Sequence, residues 1–116
     1  MILAAALLAA VPVQAAPVDC ARAVVQQDMN ACEAARARRA DAALNAAWKR
    51  RIAASPALKP DLLTAQRIWL RFRDAECAAR GKAYQGGTMQ PMVVAGCYAD
   101  LTEQRAKDLA ALIEDH

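Results

Sequence analysis

The chain has 116 residues, of which 57% are hydrophobic, 4% aromatic and 23% charged, with a formal net charge of +3. A chain of that length makes one domain of ordinary size, which excludes a multidomain enzyme or a Rossmann-type cofactor fold. Charge close to that of an ordinary soluble surface also excludes a disordered tail, a collagen or a strongly basic nucleic-acid arm.

Residues 2–12 form an uncharged apolar run about as long as a signal-peptide h-region. It is too short to span a bilayer, which takes about 20 apolar residues. Val13, Gln14 and Ala15 place small residues at −3 and −1, so cleavage is expected after Ala15, with Ala16 as the second choice. The positive n-region is missing, because Arg22 is the first basic residue. Either the true start lies upstream or the segment is no signal, and export is the reading carried forward. Residues 1–15 then form the signal peptide and 16–116 the mature domain. Asp19 stands just before Cys20, where a lipoprotein signal has a small residue. The expected product is therefore soluble, periplasmic or secreted, and not lipid-anchored.

Cys20, Cys32, Cys77 and Cys97 are an even number in a short exported chain, the pattern of two disulfides. A zinc site is the competing reading, but there is no CxxC and the one histidine, His116, is the last residue. No metal and no cofactor are expected. Three pairings are possible, and the residues alone do not decide among them. Cys20–Cys32 with Cys77–Cys97 is favoured, because each closes a short segment that includes non-helical chain.

Abundant Ala, Leu, Arg, Gln and Glu, with few β-branched residues, predict an all-α fold. The first helix begins near Val24 or Val25 and runs to Ala54, where Ser55, Pro56 and Pro60 end it. Ala37, Asp41, Leu44, Trp48 and Ile52 recur on one of its faces. The second runs from Asp61 to about Arg80, before Gly81, with Leu62, Gln66, Trp69, Arg73 and Cys77 on one face and Ala65, Ile68 and Phe72 alongside. The third opens near Pro91 or Met92 and continues to the C-terminus through Val94, Tyr98, Leu101, Arg105, Leu109 and Leu112. The expected architecture is a helical hairpin with a third helix packed on it, stapled by disulfides. The one extended loop lies between helices two and three, broken by Gly86 and Gly87.

Asp41, Asn45, Gln66, Arg73 and Arg105 fall on or beside otherwise apolar stripes. Unpaired burial of such groups costs several kcal/mol, so they should satisfy one another. An antiparallel hairpin brings Asp41 opposite Arg73 or Asp74, and the expected contact is Asp41–Arg73 or Asp41–Arg105. This polar set is read as fixing helix register and not as an active site.

The string Asp19-Cys20, Gln27-x-Met29-Asn30-x-Cys32, Ala40-Asp41-x-x-Leu44-Asn45-x-x-Trp48 resembles the start of the LprI-like domain of exported bacterial proteins. The resemblance continues through Leu62-x-x-x-Gln66-x-x-Trp69-x-x-Phe72-Arg73-Asp74-Ala75-Glu76-Cys77. It closes on Tyr84-x-Gly86-Gly87-Thr88, Cys97 and Leu101-Thr102-x-x-Arg105-x-x-x-Leu109, covering nearly the whole mature chain. Many members carry Thr at the first helix start, where Val25 or Gln26 stands here, and more often Tyr at the place of Trp48. The resemblance implies an exported helical domain with cysteine bridges, and a family named for lysozyme inhibition.

An enzyme is not expected. No Ser/His/Asp set exists, the thiols are expected to be oxidised, and Asp74 and Glu76 are two apart on a helix, where side chains do not face each other. Arg36, Arg38, Arg39, Lys49, Arg50 and Arg51 make the first helix locally basic. Interleaved Glu33 and Asp41, and the lack of stacking aromatics, read this as a solvated face and not a nucleic-acid surface. A protein-binding module remains, with a lysozyme or another muramidase as partner. Tyr84, Gln85, Gly86, Gly87 and Thr88, bracketed by Cys77 and Cys97, form the candidate contact loop. The net charge gives no long-range attraction toward a basic lysozyme. The acidic residues of the third helix, Asp100, Glu103, Asp108, Glu114 and Asp115, are the local source of complementarity. The alternative is an accessory envelope protein that docks a protein or cell-wall partner without inhibiting anything.

Overall fold

The structure is a computed structural model that describes residues 5–6, 8–10 and 17–114. Ala15 and Ala16, part of the apolar run before them, and His116 lie outside the described residues, and the expected signal cleavage with them.

Three helices carry the fold: α1 (Gln26–Ala54), α2 (Lys59–Lys82) and α3 (Gln90–Glu114). A 3-10 turn at Cys20–Arg22 precedes α1 and another at Pro56–Leu58 joins α1 to α2; no strand occurs among the described residues. Val25 begins α1 from extended backbone without a side-chain cap. Asp28 in the first turn supplies negative charge to the free N–H end. The Ser55 N–H closes on the Arg51 carbonyl, after which Pro56 cannot continue the helix. α2 opens two residues earlier than Asp61, because Pro60 is tolerated in the first turn, where its missing N–H costs nothing. Arg80 and Lys82 stand in its last turn, favourably placed against the helix dipole.

Cross-helix contacts fix the directions. Gln26 reaches Met92, Asn30 reaches Thr88 and Arg36 reaches Glu103, so α1 and α3 run parallel. Cys77 joins Cys97, Arg73 reaches Thr102 and Arg105 reaches Gln66, so α2 runs antiparallel to α3. The closest pair is α1 with α3, and α2 packs on α3.

The α1–α3 seam shifts the buried face of α1 away from the stripe centred on Asp41 and Trp48. Ala40, Leu44, Ala47 and Arg51 are the buried residues. The physical reason is size: Ala40 and Ala47 on α1, with Ala99 and Thr102 on α3, are buried and small, which allows two backbones to run close together. Trp48 is moved to the edge, where it packs with Trp69 and Ala106 against Leu44, Ala47 and Leu109. On α2, Gln66, Arg73, Cys77 and Gly81 are buried. Ile68 and Phe72, expected beside that face, instead point outward, 54% and 52% exposed.

Candidate partner-binding loop and the polar network behind it

The α2–α3 connection is short and hydrogen-bonded along its length. Tyr84 N–H donates to Gly81 O at 3.0 Å, Gln85 to Lys82 at 3.2 Å, Gly87 to Tyr84 at 3.0 Å and Gln90 to Gly87 at 3.3 Å. Gly86 makes the sharpest bend with a φ of +80°, a conformation that costs an L side chain about 1–2 kcal/mol. The Cys77–Cys97 disulfide closes the base, and both cysteines are buried. Asn30 on α1 donates its side-chain N–H to the Thr88 carbonyl at 3.0 Å, a second tie. Tyr84, Gln85, Gly86, Gly87 and Thr88 are all exposed. Tyr84, Gln85, Gly87 and Thr88 rim a shallow hollow of about 340 Å³. The result is an aromatic ring and bare backbone held on a braced turn.

Behind the loop, Arg73 lies almost wholly buried among α1, α2 and α3. Its Nη1 is 3.4 Å from Asp41 Oδ1 and 3.4 Å from Thr102 Oγ1, and its Nε donates to Asp74 at 3.1 Å. Nη2 donates to the Tyr98 hydroxyl. The guanidinium also lies over the Tyr98 ring, 3.6 Å from its centroid. Burial raises the Tyr98 phenol above its ordinary pKa, an effect partly offset by the positive charge of Arg73. Arg105 takes a different partner, donating through Nε to Gln66 Oε1 at 2.9 Å. Arg73 and Arg105 both approach the Trp69 ring, at 5.3 and 5.9 Å from its centroid. Asn45 lines the same groove as Asp41 and Arg73, but makes no hydrogen bond to the other four polar residues among the described contacts. Asp41, Arg73, Gln66 and Arg105 thus form two pairs, and Asn45 stands at their edge.

A second polar cluster, centred on Arg36, ties α1 to α3. Arg36 donates to Glu33 at 3.1 Å, to both carboxylate oxygens of Glu103 at 3.1 and 3.0 Å, and to Asp100. Glu103, then Asp100 and Glu33, raise its pKa further against the desolvation that opposes them. The basic run of α1 is therefore not a uniformly solvated face: Arg36 clasps α3, and Arg51 is 2% exposed. Arg51 Nε and Nη1 have no hydrogen-bond partner among the described residues. The sequence signal for the clasp was two i, i+3 pairs, Glu33 with Arg36 on one helix and Asp100 with Glu103 on the other. Because those acids face Arg36, and Asp108 accepts from Gln104 at 2.9 Å, the α3 acidic surface is partly occupied within the fold.

Among the described residues no group of three or more His, Cys, Asp or Glu side chains is gathered to hold a metal ion, and no helix is long and apolar enough to cross a membrane. All four cysteines are paired, Cys20 with Cys32 and Cys77 with Cys97. Two disulfides, three helices and an anchored loop define a small stapled all-α domain. The chain belongs to the family described as lysozyme inhibitor LprI, whose profile matches residues 19–109. It is similar to an uncharacterized protein of Rhizobium meliloti (strain 1021), 37% identical over 110 residues that cover 83% of this chain and 79% of that protein. No solved structure matches it.

Proposed function

We propose that this chain is an exported, soluble binding protein of the periplasm or cell exterior that inhibits a muramidase, seating the Tyr84–Thr88 loop in the enzyme's cleft and acting without catalysis. Family membership supports the inhibitor class. The observation that carries the choice of loop is its combination of exposure and bracing: Tyr84 is 42% exposed, yet the backbone beneath it is held by four turn hydrogen bonds, a disulfide and Asn30. Ordering costs are met before binding in such a loop, so less of the contact energy is lost to it. Tyrosine is also a frequent anchor at interface centres, and Gly86 with Gly87 leaves the backbone open to close approach.

The test is a dose–response of the purified, oxidised chain against muramidase activity. Inhibition is expected, with Tyr84→Ala raising the inhibitory concentration by about tenfold or more at unchanged helicity. If protein with intact disulfides fails to inhibit at tens of micromolar, the inhibitor reading falls. The accessory envelope protein, docking a protein or cell-wall partner, then takes its place.

A further inference from the structure

α1 and α2 both pack on α3, but no comparable seam joins them to each other. Between them lies a groove of about 330 Å³, toward the lower end of the sizes that small-molecule sites take. Asp41, Leu44, Asn45 and Trp48 share one face of α1, and Leu63, Gln66, Leu70 and Arg73 share one face of α2. Tyr98 of α3 completes the lining. Because α1 and α2 run antiparallel, Arg73 meets Asp41 at one end, and Trp48 and Leu63 lie toward the other. We propose that this groove binds a neutral saccharide, one or two rings of an uncharged glycan.

Open hydrogen-bonding capacity is the first argument. Arg73 donates to Asp41, Asp74, Thr102 and Tyr98, and Gln66 Oε1 accepts from Arg105, contacts that fixing helix register explains. Still without a partner among the described contacts are the Gln66 amide hydrogens, the Asn45 side-chain amide and Asp41 Oδ2. Gln66 is only 9% exposed, and an amide so buried seldom lacks a partner. The Tyr98 hydroxyl accepts from Arg73 and keeps a hydrogen to donate, the more so as burial raises its pKa. Leu44, Leu63, Leu70 and Trp48 lie among these groups. A pyranose ring has the matching pattern, with hydroxyls that donate and accept around its rim and apolar C–H faces above and below.

Charge is the second argument. The groove is lined by one acid and one base, Asp41 and Arg73, and the two are paired at 3.4 Å. An anionic ligand would meet the Asp41 carboxylate and a cationic one the Arg73 guanidinium, so an uncharged ligand fits best. An acyl chain would leave the amides unpaired. An extended peptide turns alternate N–H and C=O groups away from the groove, and a helical one has already paired its own. The groove also stands about 15 Å along α2 from the loop, so saccharide binding here does not rest on the loop's seating in a muramidase.

Heteronuclear NMR of the isotope-labelled, oxidised full chain tests this, since the Asn45 and Gln66 amides and the Trp48 indole each give a side-chain signal. Triacetylchitotriose and maltotriose, both neutral, are titrated to about 20 mM. At least one is expected to move these signals saturably, with a dissociation constant of about 1 mM. Deacetylated chitotriose and trigalacturonic acid, which carry positive and negative charge, should bind about tenfold more weakly or worse. Asn45→Ala should weaken binding about fivefold while the melting temperature holds or rises, because alanine is the better helix former. Tyr84→Ala should leave the titration unchanged. Signals that stay still with both neutral sugars overturn the proposal, as do shifts confined to other surfaces, an Asn45→Ala chain that binds as well as wild type, or a charged trimer that binds as tightly. A capped alanine tripeptide that moves the groove signals where the sugars do not overturns it too, and would assign the groove to a peptide. None of these outcomes bears on muramidase inhibition through the loop.

Discussion

Gly81 shows how one residue can be read correctly as special and for the wrong reason. In the sequence it marks the end of the second helix. In the structure α2 runs through it to Lys82, and the left-handed turn falls to Gly86 instead. Gly81 is needed for space: a Cβ there would lie 2.5 Å from Val94 Cγ2 on α3. Alanine would contribute about 1 kcal/mol through helix propensity, but overpacking of this kind costs about 1–3 kcal/mol, and the branched Val94 side chain is stiff at χ1 and cannot swing clear. Gly81→Ala is therefore expected to destabilise the oxidised protein by up to about 2 kcal/mol, read as a lower urea midpoint at unchanged slope. Val94→Ala in the same chain should recover part of the loss, with a coupling of about 1 kcal/mol. Additive effects would show that the close approach is not what Gly81 serves. The buried polar residues divide along similar lines. Arg73 and Gln66 were legible because a charge or amide on an apolar stripe must find a partner. Arg51 was hidden inside a basic run, and Thr102, although wholly buried beneath Arg73, carries a side chain too neutral to stand out.

At the scale of elements, the helices were legible to within a few residues, since prolines and helix formers mark them locally. The face each helix buries was less so. α1 carries Trp48 and Ile52 on the stripe that large side chains suggest, yet a closely packed parallel neighbour selects the alanine row through Ala40 and Ala47. Which row wins depends on the distance to α3, and no local pattern encodes that distance. The two disulfides also differ by element. Cys77–Cys97 joins two packed helices across 20 residues, and such a loop is worth about 3 kcal/mol by chain entropy. Cys20–Cys32 spans 12 residues, and the entropy formula gives a similar figure. However, its first cysteine sits in a 3-10 turn with no buried residue. Once cut, that turn frays in the folded state too, and the folded chain regains much of the freedom that the unfolded chain does. Replacing Cys77 and Cys97 by Ala should therefore lower the thermal midpoint markedly, whereas replacing Cys20 and Cys32 should lower it much less. Far-UV circular dichroism melts of the two double variants check this, and equal losses would mean that the N-terminal turn is as firmly packed as the bundle.

At the scale of the whole molecule, charge places a constraint on the proposed loop contact. The chain carries +3, and two acids on α3 with the charge to draw a basic partner, Asp100 and Glu103, already face Arg36. A muramidase that is itself basic, as animal lysozymes are, therefore meets net repulsion at long range. Repulsion between exposed charges acts over about 30 Å at 10 mM salt and about 8 Å at physiological ionic strength. The association rate should consequently rise as salt is added, the reverse of the steered case in which it falls steeply. The contact itself, a tyrosine ring and glycine backbone on a braced turn, is short-ranged and uncharged. Its loss in Tyr84→Ala should therefore appear in the dissociation rate and leave the salt dependence of association as it was. Surface plasmon resonance at several salt concentrations separates the two quantities. Association that slows with added salt would locate the first encounter on an acidic patch, most plainly the carboxylates around Arg36, and would remove the loop from its leading role in recognition.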